Sequence, residues 1–262
     1  MLAARLVVAL VGIPLLLGVT FFGGWWLNLL VGLLTVVGML EFFQLATRWE
    51  VKPLVPAGLC GGLFLIPVAY LNRGIPAWAV AVLTTGLLLL FLVRFPRVKV
   101  VDLAVTFLGI CYVGGFLAYL PLLRLLPGGA GILTITFLLT WANDTGAYFC
   151  GLLFGRHHPW PDISPGKTLA GALGGLVGSL IVALAVGPLL LPDPGYWLLG
   201  GLGLLASLAA QAGDLMESGL KRQAGVKDSG WLLPGHGGIL DRFDSLLLVA
   251  PVVYYYLVVF LF

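Results

Sequence analysis

The chain has 262 residues and a formal net charge of +3; 60% of its residues are hydrophobic and only 10% are charged. A soluble domain carries about 25% charged residues, so this composition, with a mean hydropathy of +1.09, excludes an ordinary soluble protein. The small net charge gives no reason to expect a nucleic-acid partner.

Hydrophobic runs of about twenty residues, each long enough to cross a bilayer, recur along the chain. No small-residue cleavage site follows the first run, so we interpret it as a retained helix and not as a signal peptide. The runs predict an all-α, polytopic bundle of about nine transmembrane helices. In chain order, the predicted spans are residues 6–22, 25–46, 54–71, 76–93, 103–123, 131–151, 169–191, 195–212 and 245–262.

Lysine and arginine are distributed unequally between the two faces that nine spans define. The face holding the N-terminus receives twelve of them, and the other face receives only Arg73 and Arg124. Positive charge accumulates in cytoplasmic loops, so we expect a cytoplasmic N-terminus and a C-terminus on the opposite side. The polar loops 152–168 and 213–244 then face the cytoplasm of what we expect to be a bacterial plasma membrane.

Two carboxylates interrupt the predicted spans. Asp144 lies in WANDTGAYFCG, residues 141–151, where a carboxylate is costly unless it is paired, hydrated or metal-bound. One interpretation is a functional carboxylate; the other is an Asn143/Asp144 pair that only hydrogen-bonds a neighbouring helix. Glu41 lies near the cytoplasmic end of its span, where a side chain that snorkels to the membrane surface, an ion pair, for instance with Arg48, and a functional role are all open.

The segment DISPGKTLAGALGG, residues 162–175, places hydroxyl and ammonium donors directly before a predicted helix. Ser164, Lys167 and Thr168 there suit an anion site at a helix N-terminus, although a simple helix cap explains them equally well. A Walker A loop is excluded because its first glycine position is occupied by Pro161. The small residues that follow are expected to pack helices together: Gly171, Gly175 and Gly178.

The stretch from Asp214 to Asp244 holds nine of the 25 charged residues of the chain. Its first part places four polar residues on one helical face, namely Asp214, Glu217, Ser218 and Lys221. Asp241 and Asp244 repeat the three-residue spacing where the chain re-enters the membrane. Between them, PGHGG is a turn whose glycines let backbone amides approach a phosphate. Carboxylates at two helix mouths suit Mg²⁺, which keeps water and substrate phosphates as its other ligands. For His236, a structural hydrogen bond and a phosphate contact are both open.

With these residues the sequence resembles the phosphatidate cytidylyltransferase family, also called CDP-diacylglycerol synthases. The resemblance rests on Ser218, Lys221-Arg222, Lys227-Asp228, His236-Gly237-Gly238, Asp241-Arg242 and Asp244, with NDTGAYFCG and SPGKT upstream. It implies that CTP and phosphatidic acid give CDP-diacylglycerol and pyrophosphate, with positioning and electrostatics dominating the transfer.

The resemblance also implies a role for each residue. Asp214 and Asp241 would hold Mg²⁺, and Asp244 and Asp144 are candidates for a second cation or its surroundings. Residues expected to act in catalysis are Asp214, Asp241, Lys221 and Arg242. Residues expected to bind the substrates are Ser164, Lys167, Thr168, Ser218, Arg222, Lys227, His236, Gly237 and Gly238.

Residues 1–130 are expected to be a helical scaffold, and residues 131–262 to carry the catalytic loops. The glycine-rich faces would allow a homodimer. A transporter that uses Asp144 and Glu41 as an ion relay is the main rival from another class. Among enzymes, a CTP-dependent polyprenol kinase or a cytidylyltransferase acting on an ether lipid would use similar residues.

Overall fold

The computed structural model describes residues 2–192, 194–230 and 237–262, with side chains described from residue 10 onward. Within these ranges the chain forms no β-strand, which confirms the predicted all-α class. The helices are α1 Leu2–Phe22, α2 Gly24–Arg48, α3 Val55–Asn72, α4 Ala77–Arg94, α5 Val100–Gly109, α6 Tyr119–Leu125, α7 Gly129–Phe154, α8 Leu169–Leu190, α9 Tyr196–Gln223 and α10 Leu240–Phe260. A π-helical stretch, Ile110–Gly115, follows α5.

Seven of the helical segments are long and apolar enough to cross a membrane, counted over the described residues. They are α2, α3, α4, the segment Val100–Leu125, α8, α9 and α10. Helix α7 is not among the seven, and it carries the polar run from Asn143 to Thr145. An integral membrane protein is therefore supported, whereas about nine spans and a cytoplasmic N-terminus remain predictions.

The chain forms two compact units, and the predicted division at residue 130 stays a prediction. The first unit contains Met1–Leu125 and Gln223–Arg242, and the second contains Leu126–Arg222 and Phe243–Phe262. The described residues between Gln223 and α10 therefore belong with the N-terminal helices. The predicted assignment of residues 1–130 as a scaffold stays a prediction.

In the first unit, α3 approaches α2 closely because glycines of α3, which have no side chain, leave room for large side chains of α2. A Cβ atom at Gly58 would overlap the ring of Phe43, and one at Gly62 would overlap the sulfur of Met39. Both large side chains are almost completely buried. Close packing of this kind replaces the hydrophobic driving force that is missing between helices in lipid.

In the second unit, α7 and α8 pack through small residues in the same way. A Cβ atom at Gly171 would lie 2.9 Å from the carbonyl oxygen of Ala147, and one at Gly178 would lie 2.6 Å from that of Ala142. At Gly175 it would lie 2.6 Å from Oδ1 of Asn143. The prediction that these three glycines pack helices is confirmed.

Candidate active site

A cavity of about 490 Å³ opens in the second unit, among α7, the start of α8, α9 and the loop before α8. Its polar lining consists of Asn143, Asp144, His158, Lys167, Thr168, Gln211 and Asp214. Its other wall is apolar and includes Ala147, Tyr148, Leu152 and Trp160. Tyr148 and Leu152 are 65% and 69% exposed, so the apolar side is open to its surroundings. The cavity therefore offers both charged groups and an apolar entrance.

An ion pair joins two of the predicted site residues at this cavity. Nζ of Lys167 lies 2.8 Å from Oδ2 of Asp214, and both side chains are partly exposed. Lys167 belongs to a turn that its own N–H closes by donating to the carbonyl of Ser164 at 3.1 Å. Although the Lys167 side chain is partly exposed, its Nζ atom itself is buried beside Asp214. An ammonium group can donate charge-assisted hydrogen bonds to a phosphate that enters the cavity.

Thr168 forms the N-cap of α8. Its Oγ1 accepts a hydrogen bond from the N–H of Gly171 at 3.0 Å, and the residue is buried. The cap interpretation of this segment is thus confirmed. The same cap places the N-terminus of α8 at the cavity wall, where helix dipoles favour negative charge. Ser164 is not part of the cavity lining.

Asn143 and Asp144 have different environments although they are adjacent. Oδ1 of the buried Asn143 accepts hydrogen bonds from Oγ of Ser207 at 2.8 Å and from Nε2 of Gln211 at 3.3 Å. Its Nδ2 donates to Oδ1 of Asp144 at 3.2 Å. Asn143 therefore links α7 to α9, as expected from the interpretation in which this pair hydrogen-bonds a neighbouring helix. Asp144, by contrast, is exposed and lines the cavity.

A third carboxylate lies near this group. Asp244 interacts electrostatically with Asp214 and Asp144, which carry like charge, and with Lys221, which carries opposite charge. Its backbone carbonyl packs against Gly213, where a Cβ atom would lie 2.5 Å away. Gly213 thus lets α10 approach α9 next to Asp214.

Lys221 and Arg222, at the end of α9, both have protein partners. The ammonium group of Lys221 forms an ion pair with the carboxylate of Glu217, whose side chain is completely buried. Nε of Arg222 donates to the carbonyl of Ile163 at 3.1 Å. Oγ of Ser218 lies 3.5 Å from Oδ1 of Asp214, a long contact. Lys221, Arg222 and Ser218 therefore contribute contacts within the protein, in addition to the substrate binding or catalysis predicted for them.

Two carboxylates of the cavity in the second unit could serve as ligands of a cation. Within the described ranges, no group of three or more Asp, Glu, His or Cys side chains is arranged to hold a metal ion. Asp144 and Asp214 nevertheless line the same cavity. Mg²⁺ is commonly held by one or two carboxylates together with water and phosphate oxygens, so the chemistry of these two carboxylates fits a magnesium ion.

In the first unit, Asp241 organises the segment that carries the sequence motif. Its Oδ2 accepts hydrogen bonds from N–H and Oγ of Ser229, both at 2.8 Å, and from the N–H of Gly238 at 2.7 Å. Gly237 adopts φ +77°, and a Cβ atom there would lie 2.6 Å from the same oxygen. Asp241 and Asp214 belong to different units, so their shared Mg²⁺ stays a prediction.

Glu41 of α2 is bound to the same segment. Its buried carboxylate accepts the N–H groups of Ile239 at 2.9 Å and Leu240 at 2.8 Å. Oγ of Ser229 lies 3.3 Å from Oε2. Among the described side chains Arg48 forms no ion pair with it, so the ion-pair interpretation is wrong. The carboxylate instead caps the N-terminus of α10, where N–H groups lack helical partners.

The remaining predicted residues lie on the surface or outside the described ranges. Lys227 and Arg242 are exposed. His236 lies outside the described residues, so both of its interpretations stay open.

The sequence patterns missed three residues of the cavity wall, His158, Trp160 and Gln211. Gln211 had a usable signal, because it precedes Asp214 by three positions on the same helix. It also donates to the carbonyl of Ala172 at 2.9 Å, which fixes α8 against α9. His158 and Trp160 come from an irregular loop, where periodicity gives no signal.

Comparison with known proteins agrees with the motif. A model of the cytidylyltransferase family matches residues 3–260. A phosphatidate cytidylyltransferase of Synechocystis sp. is 35% identical over 287 aligned positions, covering 98% of this chain and 97% of that protein. One of Staphylococcus epidermidis is 34% identical over 254 positions, covering 94% and 95%. One of Staphylococcus aureus is 47% identical over 156 positions, or 59% of each chain. The resemblance seen in the sequence is confirmed, and the chain belongs to the cytidylyltransferase family.

Proposed function

We propose that this enzyme transfers the cytidylyl group of CTP to phosphatidic acid, giving CDP-diacylglycerol and pyrophosphate. The similar proteins that cover nearly the whole chain carry the name of this activity. The observation that carries the proposal is the composition of the cavity in the second unit. It combines Lys167, Asp214 and the capped N-terminus of α8 with an exposed apolar wall at Tyr148 and Leu152.

The two walls suit the two parts of a phospholipid substrate. Acyl chains would contact Tyr148 and Leu152, while the phosphate would meet Lys167 and the N–H groups at the start of α8. Such a phosphate can enter laterally from the bilayer leaflet. A cytoplasmic opening of the cavity, which CTP requires, follows from the excess of positive charge on the N-terminal face and is part of the proposal.

The reaction forms a bond between an oxygen of the lipid phosphate and the α-phosphorus of CTP, and it breaks the bond between the α-phosphorus and the β-phosphate oxygen. The attacking oxygen is already ionised near neutral pH, so no strong base is required. Lys167 would draw two repelling anions together, and its pairing with Asp214 holds the ammonium group at the cavity wall. Asn143 would orient Asp144 through their hydrogen bond.

Asp144 and Asp214 are the residues that we expect to hold Mg²⁺, with Asp244 as a further carboxylate close to both. Magnesium held by these carboxylates would supply positive charge that stabilises the substrate phosphates and the leaving pyrophosphate. The roles assigned from the motif to Asp241, Arg242, Lys227, His236, Gly237 and Gly238 remain part of the proposal.

The test uses the full chain in detergent with phosphatidic acid and CTP labelled at the α-phosphate. Label should enter the lipid phase only when both substrates and Mg²⁺ are present. Asp214→Asn should lower this rate by about a hundredfold or more, because it removes a carboxylate at the reacting phosphates. Asp162→Asn is the matched control, since Asp162 is exposed and is not part of the cavity lining.

Two results would contradict the proposal. Transfer of a γ-label from CTP to an isoprenoid alcohol, without lipid labelling from the α-phosphate, would identify a lipid kinase. Normal labelling by Asp214→Asn would show that the cavity in the second unit is not where the phosphates react.

A further inference from the structure

A second cavity, of about 650 Å³, lies in the first unit. It is formed by the connection between α2 and α3, which contributes Lys52, by the last residue of α4, Arg94, and by the connection between α4 and α5, which contributes Arg97. We propose that this cavity binds the phosphate-bearing headgroup of an anionic membrane lipid. The site differs from the candidate active site, because all of its lining residues belong to the other unit.

The charges around the cavity are not balanced within the described part of the chain. Lys52, Arg94 and Arg97 are exposed, and none of them forms an ion pair with a described carboxylate. Three like charges around one cavity repel each other, and a bound anion removes that repulsion. Arginine is suited to phosphate because its planar guanidinium can donate two parallel hydrogen bonds.

Asp102 is the carboxylate in the cavity lining, and both of its oxygens accept hydrogen bonds from backbone N–H groups. Oδ1 accepts the N–H of Lys52 at 2.8 Å, and Oδ2 accepts the N–H of Lys99 at 2.9 Å. The residue is 5% exposed. Asp102 therefore ties the two connections together and leaves the lysine and arginine side chains to a ligand.

The position along the helices indicates a lipid. Helix α2 ends at Arg48 and α3 begins at Val55, while α4 ends at Arg94 and the next candidate span begins at Val100. The cavity thus lies where four candidate spans end or begin, which is the level of lipid headgroups. Val93 and Phe95 also line it and are 80% and 67% exposed. These side chains can contact acyl chains, which a soluble phosphate lacks.

The general enrichment of cytoplasmic loops in lysine and arginine explains why such residues are present. It does not explain why cations from two separate connections line one cavity, nor why the one carboxylate there is buried against backbone amides. Basic pockets between transmembrane helices are known to bind anionic headgroups.

The test measures lipid binding to the full chain in a neutral detergent by native mass spectrometry. Dioleoyl phosphatidylglycerol is the probe, because it is anionic and lacks the phosphate monoester that the proposed reaction uses. Arg94→Gln and Arg97→Gln should each weaken its binding about fivefold, the contribution expected for one cation near a lipid phosphate. Arg73→Gln, in the connection between α3 and α4, is the matched control and should bind like the parent chain. Dioleoyl phosphatidylcholine, which has no net charge, should bind less tightly than phosphatidylglycerol to the parent chain.

Thermal melting of each variant verifies the fold, and Lys52→Gln provides a third variant if one arginine change disturbs it. Equal phosphatidylglycerol binding by the parent, the three cavity variants and Arg73→Gln would overturn the proposal. Displacement of the lipid by an equal concentration of inorganic phosphate would also overturn it, since the ligand would then be a soluble anion. Neither result depends on cytidylyl transfer, so this proposal and the proposed function fail separately.

Discussion

The carboxylate of Glu41, in α2, accepts a hydrogen bond from the backbone N–H of Leu240, the first residue of α10, at 2.8 Å. The same side chain accepts the N–H of Ile239 and approaches Oγ of Ser229, which also donates to Asp241. A helix of the N-terminal half therefore holds the segment on which the family motif lies.

Glu41→Gln should lower the stability of the protein. The amide keeps one acceptor oxygen and places an NH₂ group where N–H donors must be accepted, so a buried donor loses its partner. Such a loss costs about 1–3 kcal/mol. Thermal unfolding in detergent measures it, with Glu50→Gln as the control because Glu50 is exposed. Equal melting temperatures for the two variants would show that the cap contributes nothing.

The structural features that could be predicted from the sequence are those determined by residues close together along the chain. The helices follow from the lengths of apolar runs, and the cap at Thr168 and the packing glycines of α8 follow from short spacings. By contrast, Glu41 and Leu240 are 199 positions apart. Their hydrogen bond depends on tertiary packing, which periodicity does not contain. The sequence therefore singled out Glu41 but predicted neither its role as a helix cap nor its partner.

The same limit applies to the cavity in the second unit. Lys167 and Asp214 were each predicted from a local motif, yet their ion pair at 2.8 Å depends on how α8 and α9 pack. Trp160 and His158 line the cavity from a loop whose conformation no spacing rule predicts. For Asp241, the motif gave the residue but not its three hydrogen bonds to Ser229 and Gly238.

Gly146→Ala should destabilise the second unit. A Cβ atom at Gly146 would overlap the carbonyl oxygen of Gly174, and backbone cannot move aside as a flexible side chain can. Overpacking of this kind costs about 1–3 kcal/mol. Gly86→Ala in α4 is the control, because no atom lies within 4 Å of its Cβ position. Gly86→Ala should be neutral or stabilising, since alanine favours helices by up to about 1 kcal/mol. If both changes left the melting temperature unaltered, the tight packing of α7 on α8 would be in doubt.

Asn143→Ala should lower kcat more than it raises KM. The change leaves Asp144 without its amide donor and leaves Oγ of Ser207 and Nε2 of Gln211 without a shared acceptor. An effect through the orientation of Asp144 acts mainly in the transition state, so we expect a loss of about tenfold in kcat. Ser179→Ala is the control for lost interhelical hydrogen bonding, because Oγ of Ser179, in α8, donates to the carbonyl of Leu139 in α7. A kcat unchanged in Asn143→Ala, with stability lowered as in Ser179→Ala, would show that Asn143 acts only in packing.

Lys221 has been assigned a catalytic role from the motif, yet it also neutralises the completely buried carboxylate of Glu217. Lys221→Met should therefore destabilise the protein by about 3 kcal/mol, since it removes the ammonium group that forms an ion pair with a buried carboxylate. Adding Glu217→Gln removes that charge and should restore most of the melting temperature. The activity of this double variant separates the two roles of the lysine. If Lys221 binds a phosphate, the double variant stays inactive although it is stable, whereas Glu217→Gln alone retains activity. Recovery of activity together with stability would limit Lys221 to a structural role and would remove it from the catalytic residues.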